Sequence, residues 1–177
     1  MEEIYQPRED TFLLARVVDL YQGERALEIG TGSGYIAKRL CERFDLVIAT
    51  DIDLTALKSI ERKENLELIL CDSATALNSN IKFDLIVFNP PYLPSDKLDD
   101  YTVDGLKGGI EIAKKFFFDA HRLVKDDGKI VFILSSLSDV NEFLNFVKDL
   151  NYEVKPLEME RFLFEELTVY QARRVSQ

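Results

Sequence analysis

The 177-residue sequence predicts a doubly wound, Rossmann-like α/β sheet. Apolar strand-like runs alternate with helical patterns, the first run enters a Gly-rich turn, and the second closes on an aspartate. Residues 10–20 read as a helix with Phe12, Leu13, Val17 and Leu20 on one side. Residues 26–29 form a short buried strand, 35–43 a helix, and 46–50 a second strand. A helix over 54–63 follows, whose Glu61-Arg62-Lys63-Glu64 run is a solvated face. Leu66–Leu70 and residues 85–88 are the next strands; a loop rich in Pro and Asp then leads to a helix from about 109 to 124. Asp126-Asp127-Gly128 turns into a strand over 129–134, and 140–150 is the last helix. Residues 152–158 and 162–170 carry no helical stop signals, and their short connection predicts antiparallel pairing. In such sheets the ligand crevice lies at the carboxyl ends of the strands.

Length fits one domain over residues 1–177. No apolar run reaches eighteen residues, and the acidic start Met1-Glu2-Glu3-Ile4 lacks the apolar core of a secretion signal. Cys41 and Cys71, thirty residues apart, match no zinc or disulfide framework, so they read as reduced structural residues of a cytoplasmic protein without a metal. Lys and Arg total 22 against 32 Asp and Glu, a net charge of −10. Holding duplex DNA requires neutralising several phosphates, so nucleic acid is disfavoured as a partner.

In Ala26-Leu27-Glu28-Ile29-Gly30-Thr31-Gly32-Ser33-Gly34, a strand enters a turn whose glycines admit close approach of a ligand. The dinucleotide fingerprint would place its third glycine where Tyr35 stands. Glycines at 30, 32 and 34 instead resemble the first motif of class I methyltransferases. Asp51 in Thr50-Asp51-Ile52-Asp53 lies 21 residues beyond Gly30, where a carboxylate accepts both ribose hydroxyls. Asp72 of Cys71-Asp72-Ser73 falls near the adenine amine, and Glu28 can accept from the cofactor's ammonium. No positive cluster accompanies them, which suits a cofactor without phosphate.

Asn89-Pro90-Pro91-Tyr92 ends the strand over 84–88 and is the most specific signal in the chain. It resembles the motif of amino-methyltransferases acting on nitrogen conjugated with a π-system. The lone pair of such a nitrogen is delocalised. The Asn89 side-chain oxygen and the backbone carbonyl after it can each accept one N–H and localise it. Pro90 and Pro91 remove donors and fix φ, while Tyr92 can stack on the planar group and face a sulfonium. His121 reads as a helix residue, and Phe116-Phe117-Phe118 as core.

Tyr5-Gln6-Pro7-Arg8-Glu9-Asp10-Thr11, Asn89-Pro90-Pro91-Tyr92 and Gly105-Leu106-Lys107-Gly108-Gly109 together resemble the short archaeal and eukaryotic branch of the HemK-type protein-(glutamine-N5) methyltransferases. The likeness runs from about Glu3 to Arg173. It implies a seven-stranded class I methyltransferase sheet of order 3-2-1-4-5-7-6 with the seventh strand antiparallel. The implied cofactor is S-adenosyl-L-methionine, held by Thr11, Glu28, Gly30, Thr31, Gly32, Asp51, Ile52, Asp72, Ser73 and Asn89. Residues 1–22 would be an N-terminal helical segment closing that pocket. The catalytic residues would be Asn89, Pro90 and Tyr92, and the substrate the Gly-Gly-Gln glutamine of a class 1 peptide chain release factor.

The bacterial branch carries an N-terminal helical domain that this sequence lacks, so docking of the factor needs another surface or subunit. The resemblance implies a small zinc-binding activator, and the apolar, Pro- and Lys-free edge strand Leu66–Leu70 is where it would add a strand. Rival readings are an adenine-N6 methyltransferase of DNA or RNA, a methyltransferase of small planar amines, and a non-catalytic cofactor-binding scaffold. The intact tetrapeptide opposes the last. Asp96, Asp99, Asp100 and Asp104 suggest an acidic rim suited to a basic protein tip.

Overall fold

A computed structural model of the chain describes residues 6–94, 104–106 and 109–175. The elements run α1 (Glu9–Val18), β1 (Gly23–Ile29), α2 (Tyr35–Leu40), β2 (Phe44–Asp51), α3 (Leu54–Ser59), β3 (Leu66–Leu70) and β4 (Phe83–Phe88). They continue with β5 (Leu93–Pro94), β6 (Asp104–Leu106), α4 (Glu111–Leu123), β7 (Val124–Ser135), α5 (Val140–Asp149), β8 (Tyr152–Arg161) and β9 (Glu166–Arg174). Seven strands form one sheet in the order β3-β2-β1-β4-β7-β9-β8. Every pairing from β3 through β7 is parallel, and β9 is antiparallel to both its neighbours. Among main-sheet strands this is the expected 3-2-1-4-5-7-6 order. Within the expected loop, β5 and β6 pair as a separate ladder; Asp96, Asp99 and Asp100 lie outside the described residues, as do Tyr5, Lys107 and Gly108.

Central strands of a doubly covered sheet must be apolar on both faces, and Leu85, Ile86, Val87 and Phe88 of β4 are all buried. On one face α1 and α2 pack Leu13, Leu14, Val17 and Leu40 against Val47, Leu85, Val131 and Val169. On the other, α4 and α5 cover an aromatic cluster. Phe132 stacks between Phe88 at 5.5 Å and Tyr170 at 5.7 Å, with Phe117 and Phe143 edge-on. Truncating one such ring to alanine costs about 3–5 kcal/mol. Phe88 directly precedes Asn89, so this cluster fixes the end of the strand that presents the tetrapeptide.

Packing overrides local pattern in several places. The helix expected over 54–63 ends at Ser59, because Ile60 turns extended and buries its side chain against Gly34. Glu61, Arg62 and Glu64 are indeed solvated, but outside the helix. Asp126-Asp127-Gly128 is absorbed into β7 as a register shift against β4 rather than preceding a strand. The second terminal strand starts at Glu166, leaving Phe162 in the connection. The 3.6-residue period turns Phe118 out to solvent while Phe116 and Phe117 stay buried. Phe12 is half-exposed and Leu20 lies past the end of α1, so neither joins the core stripe. His121 sits in α4 with Nδ1 3.2 Å from the Tyr152 hydroxyl, and both cysteines are free.

Candidate active site

Strand register assembles the site. Thr50 of β2, Ile29 of β1 and Phe88 of β4 stand in one row across the sheet. The next residue on each strand is Asp51, Gly30 and Asn89, so the register brings together side chains far apart in sequence. Adjacent strands lie about 4.8 Å apart, which places all three at one crevice mouth.

The glycine turn is tied to its neighbours by backbone bonds. Gly30 and Thr31 N–H both donate to the Thr50 carbonyl at 2.9 Å, and Gly32 N–H donates to Asp51 Oδ2 at 2.7 Å. Gly30, Gly32 and Gly34 all have positive φ, and the Phe116 ring lies where a Cβ on Gly30 would come within 3.0 Å. Side chains at these positions would be strained. Asp51 Oδ1 also accepts from Asp53 N–H at 2.9 Å. Each oxygen keeps a second lone pair for a ligand hydroxyl. Burial pushes the Asp51 carboxyl up, and bonds from the Asp53 and Gly32 N–H groups partly offset this.

Glu28 is buried at the end of β1 and accepts from Thr31 Oγ at 2.6 Å. Burial raises its pKa from 4.5 to about 8, partly offset by hydrogen bonds from Thr31 and the Ala37 backbone, and the nearby carboxylate of Asp51 raises it further. A buried acid facing another acid, with no cationic side chain among the described residues acting on it, fits a ligand that brings its own positive charge and a diol. The residues thus suit S-adenosyl-L-methionine better than a phosphate-bearing cofactor. Ile52 follows Asp51 and is half-exposed toward solvent. Ser73 adopts a left-handed φ of 56°, its carbonyl accepting from Thr50 Oγ at 2.7 Å. Asp72 leaves β3 in an ion pair with Lys115 of α4, so its carboxylate is shared.

Asn89 carries the decisive geometry. Its Nδ2 donates to Asp10 Oδ2 at 3.0 Å, and its Oδ1 is buried without a hydrogen-bond partner among the described residues. Asp10 is itself buried in the first turn of α1, where Oδ1 accepts from Thr11 N–H at 2.7 Å. Thr11, also buried, bonds Asp10 through its hydroxyl at 3.3 Å. By accepting from Nδ2, Asp10 selects the amide orientation that turns the Asn89 oxygen away from it, into the site. An unsatisfied buried acceptor costs about 1–3 kcal/mol, a cost removed when a ligand N–H arrives.

Pro90 is buried and Tyr92 half-buried beyond it. Burial, then the nearby carboxylates of Asp10 and Glu165, raise the Tyr92 phenol above its ordinary range. Gly109 has φ 69°, and a Cβ there would fall 2.2 Å from the Tyr92 carbonyl. Only glycine lets the chain return this close to the tetrapeptide. Sequence reasoning missed Asp10, which reads as an ordinary acidic residue of a helix first turn, and Glu165, for which no local signal exists.

Residues 9–155 match the family described as Methyltransferase small domain. A putative protein N5-glutamine methyltransferase of Methanocaldococcus jannaschii is 32% identical over 98% of this chain and 93% of its own length. The chain belongs to the HemK-type class I methyltransferases, whose methyl donor is S-adenosyl-L-methionine. Methyltransferase HEMK2 of Homo sapiens is 28% identical to this HemK-type chain, over 82% of it and 78% of the human protein. Among solved structures, the Mtq2–Trm112 complex of E. cuniculi, responsible for methylating the eRF1 translation termination factor, aligns with a TM-score of 0.82. It shares 26% identity, covering 97% of this HemK-type chain and 98% of that one.

Proposed function

We propose that this methyltransferase modifies the side-chain amide nitrogen of glutamine in the Gly-Gly-Gln loop of a class 1 release factor. The observation that carries this reading is Asn89 Oδ1, a buried acceptor without a partner among the described residues, at the mouth of the cofactor crevice. An amide nitrogen shares its lone pair with its carbonyl and is a poor nucleophile. Asn89 Oδ1 accepts one of its N–H groups and the Pro90 carbonyl the other, drawing the nitrogen toward tetrahedral geometry. Pro91 offers no N–H and fixes φ, which limits rotation of that carbonyl. Asp10 positions Asn89, and Tyr92 borders the planar group.

Asp51 would hold the ribose hydroxyls, Glu28 the ammonium, and Gly30, Thr31 and Gly32 the methionine portion. Ile52, Asp72 and Ser73 would border the adenine, with Thr11 and α1 over the pocket. Bound S-adenosylmethionine supplies an electrophilic methyl on a sulfonium. The names of the relatives above support a glutamine of a termination factor as substrate, and the net charge of −10 disfavours nucleic acid.

A small zinc-binding activator would complete the enzyme along β3. Among the described residues this strand pairs only with β2, and Leu70 is 51% exposed on it. An apolar edge without Pro or Lys invites strand addition. The test is incubation with labelled cofactor, with and without activator, offering release factor, a Gln→Ala loop variant of that factor, and nucleic acid. Label should enter only the factor with intact glutamine. Label in adenine would replace this reading with the nucleic-acid one.

A further inference from the structure

We propose that the β8–β9 hairpin tip and the acidic cleft beside it dock the polypeptide that carries the target amide, an inference resting on the protein substrate proposed above. The tip is Phe162-Leu163-Phe164-Glu165, closed by Phe162 N–H donating to the Glu165 carbonyl at 2.7 Å. A connection that merely turns the chain draws on Gly, Asn, Asp or Ser. Here Leu163 and Phe164 are 86% and 85% exposed, and Phe162 and Met159 are partly exposed beside them. Contiguous exposed apolar side chains mark a contact surface.

Topology puts this tip on the catalytic edge. β8 runs parallel to β7 with β9 antiparallel between them, so β8 and β7 end on the same side as Asn89. Glu165 ties the tip inward, accepting from Ser135 Oγ at 2.6 Å, and lies near enough to Tyr92 to raise its phenol. Between the hairpin and α5 lies a cleft of about 270 Å³, lined among others by Ser136, Ser138, Asp139, Asn141, Glu166 and Thr168. Ser138 lies 3.0 Å from where a Cβ on Gly109 would stand, and Gly109 abuts the Tyr92 carbonyl, so the cleft adjoins the tetrapeptide.

The occupant follows from chemistry. Among the described residues the cleft is lined by the carboxylates of Glu166 and Asp139, the latter also capping α5 through Oδ1, and by no Lys or Arg. Glu166 Oε2 accepts from Arg161 Nε at 2.8 Å, and Arg161 lies mostly in solvent, so an incoming cation can take its place. A polypeptide with a basic side chain for the cleft and an apolar one for the tip is complementary to both. A partner paired along β3 sits at the opposite edge of the sheet, six strand spacings or about 29 Å from the β8 edge.

Methyl transfer by wild type and by the Leu163→Ser/Phe164→Ser double variant, to intact release factor and to a short Gly-Gly-Gln peptide, tests this. KM for the intact factor should rise about tenfold with kcat little changed, and peptide kinetics, cofactor affinity and melting should stay as in wild type. Glu166→Gln should raise KM for the factor too and weaken its salt dependence. If the double variant melts early, Leu163→Ser alone carries the measurement. Unchanged KM for the factor in these variants overturns the docking surface alone. Wild type that labels no release factor overturns the function proposed above and this inference with it. A wild-type dimer that the double variant dissociates would assign the tip to a second copy and also overturn it.

Discussion

Asp10 holds the amide of Asn89 by a 3.0 Å bond across 79 residues of sequence, and the other end of that amide is a buried oxygen without a partner among the described residues. Asn89→Ala removes the acceptor itself, and turnover should fall about 10²–10³-fold while calorimetric affinity for S-adenosylmethionine stays near wild type. Asp10→Ala leaves the acceptor but frees its orientation, so kcat should fall less than in Asn89→Ala. The double variant should be no worse than Asn89→Ala, since both act through one oxygen. Additive losses would separate the two roles.

Asp51→Ala should chiefly weaken cofactor binding. Its carboxylate braces Gly32 N–H at 2.7 Å as well as offering lone pairs to a diol, so both the turn and the contact suffer. Isothermal titration should show affinity lost by at least about tenfold, the value of one charge-assisted hydrogen bond. Unchanged affinity would remove Asp51 from the pocket.

Glu28 predicts a pH dependence of defined sign. Burial raises its folded pKa to about 8 from 4.5, so the folded chain keeps a proton that the unfolded chain has released between those values. Stability from this group is therefore full below about pH 4.5 and declines as pH rises to about 8. Glu28→Gln should flatten melting temperature against pH across that window and raise it at pH 8. If the cofactor's ammonium pairs with Glu28, binding near neutral pH releases a proton. Titration in buffers of different ionisation heat measures that release, and Glu28→Gln should abolish it.

Ile69→Lys tests the β3 edge. Ile69 is half-buried against the α4 face, and a lysine there can extend its ammonium past the edge into solvent. Co-purification with the activator should drop while the melting temperature of the chain alone shifts little. An undiminished complex would place the activator elsewhere.

Much of the architecture was legible because buried parallel strands are short apolar runs, and Leu66–Leu70 matches its expected bounds. The glycine turn, Asp51 and the tetrapeptide were legible because each sits where a strand ends, which local pattern marks. Asp10, Glu165 and the exposure of Phe118 were not. The first two contribute through contacts made only when distant strands and α1 come together, and the last depends on which way a helix is rolled. Ile60 shows the same limit, since burial against Gly34 ends a helix that its own sequence would continue.

The two acceptors proposed at the end of β4 also bear on how many times the reaction runs. An unmodified primary amide presents two N–H groups, one for Asn89 Oδ1 and one for the carbonyl after it. The product presents only one, and its new methyl occupies the place of the other. If Asn89 Oδ1 loses its partner, that buried oxygen again lacks a donor, a state disfavoured by about 1–3 kcal/mol. On the proposed reading the product is therefore held more weakly than the substrate and is a poor candidate for a second round. Mass spectrometry of the modified factor should find an increment of one methyl and never two, even after prolonged incubation.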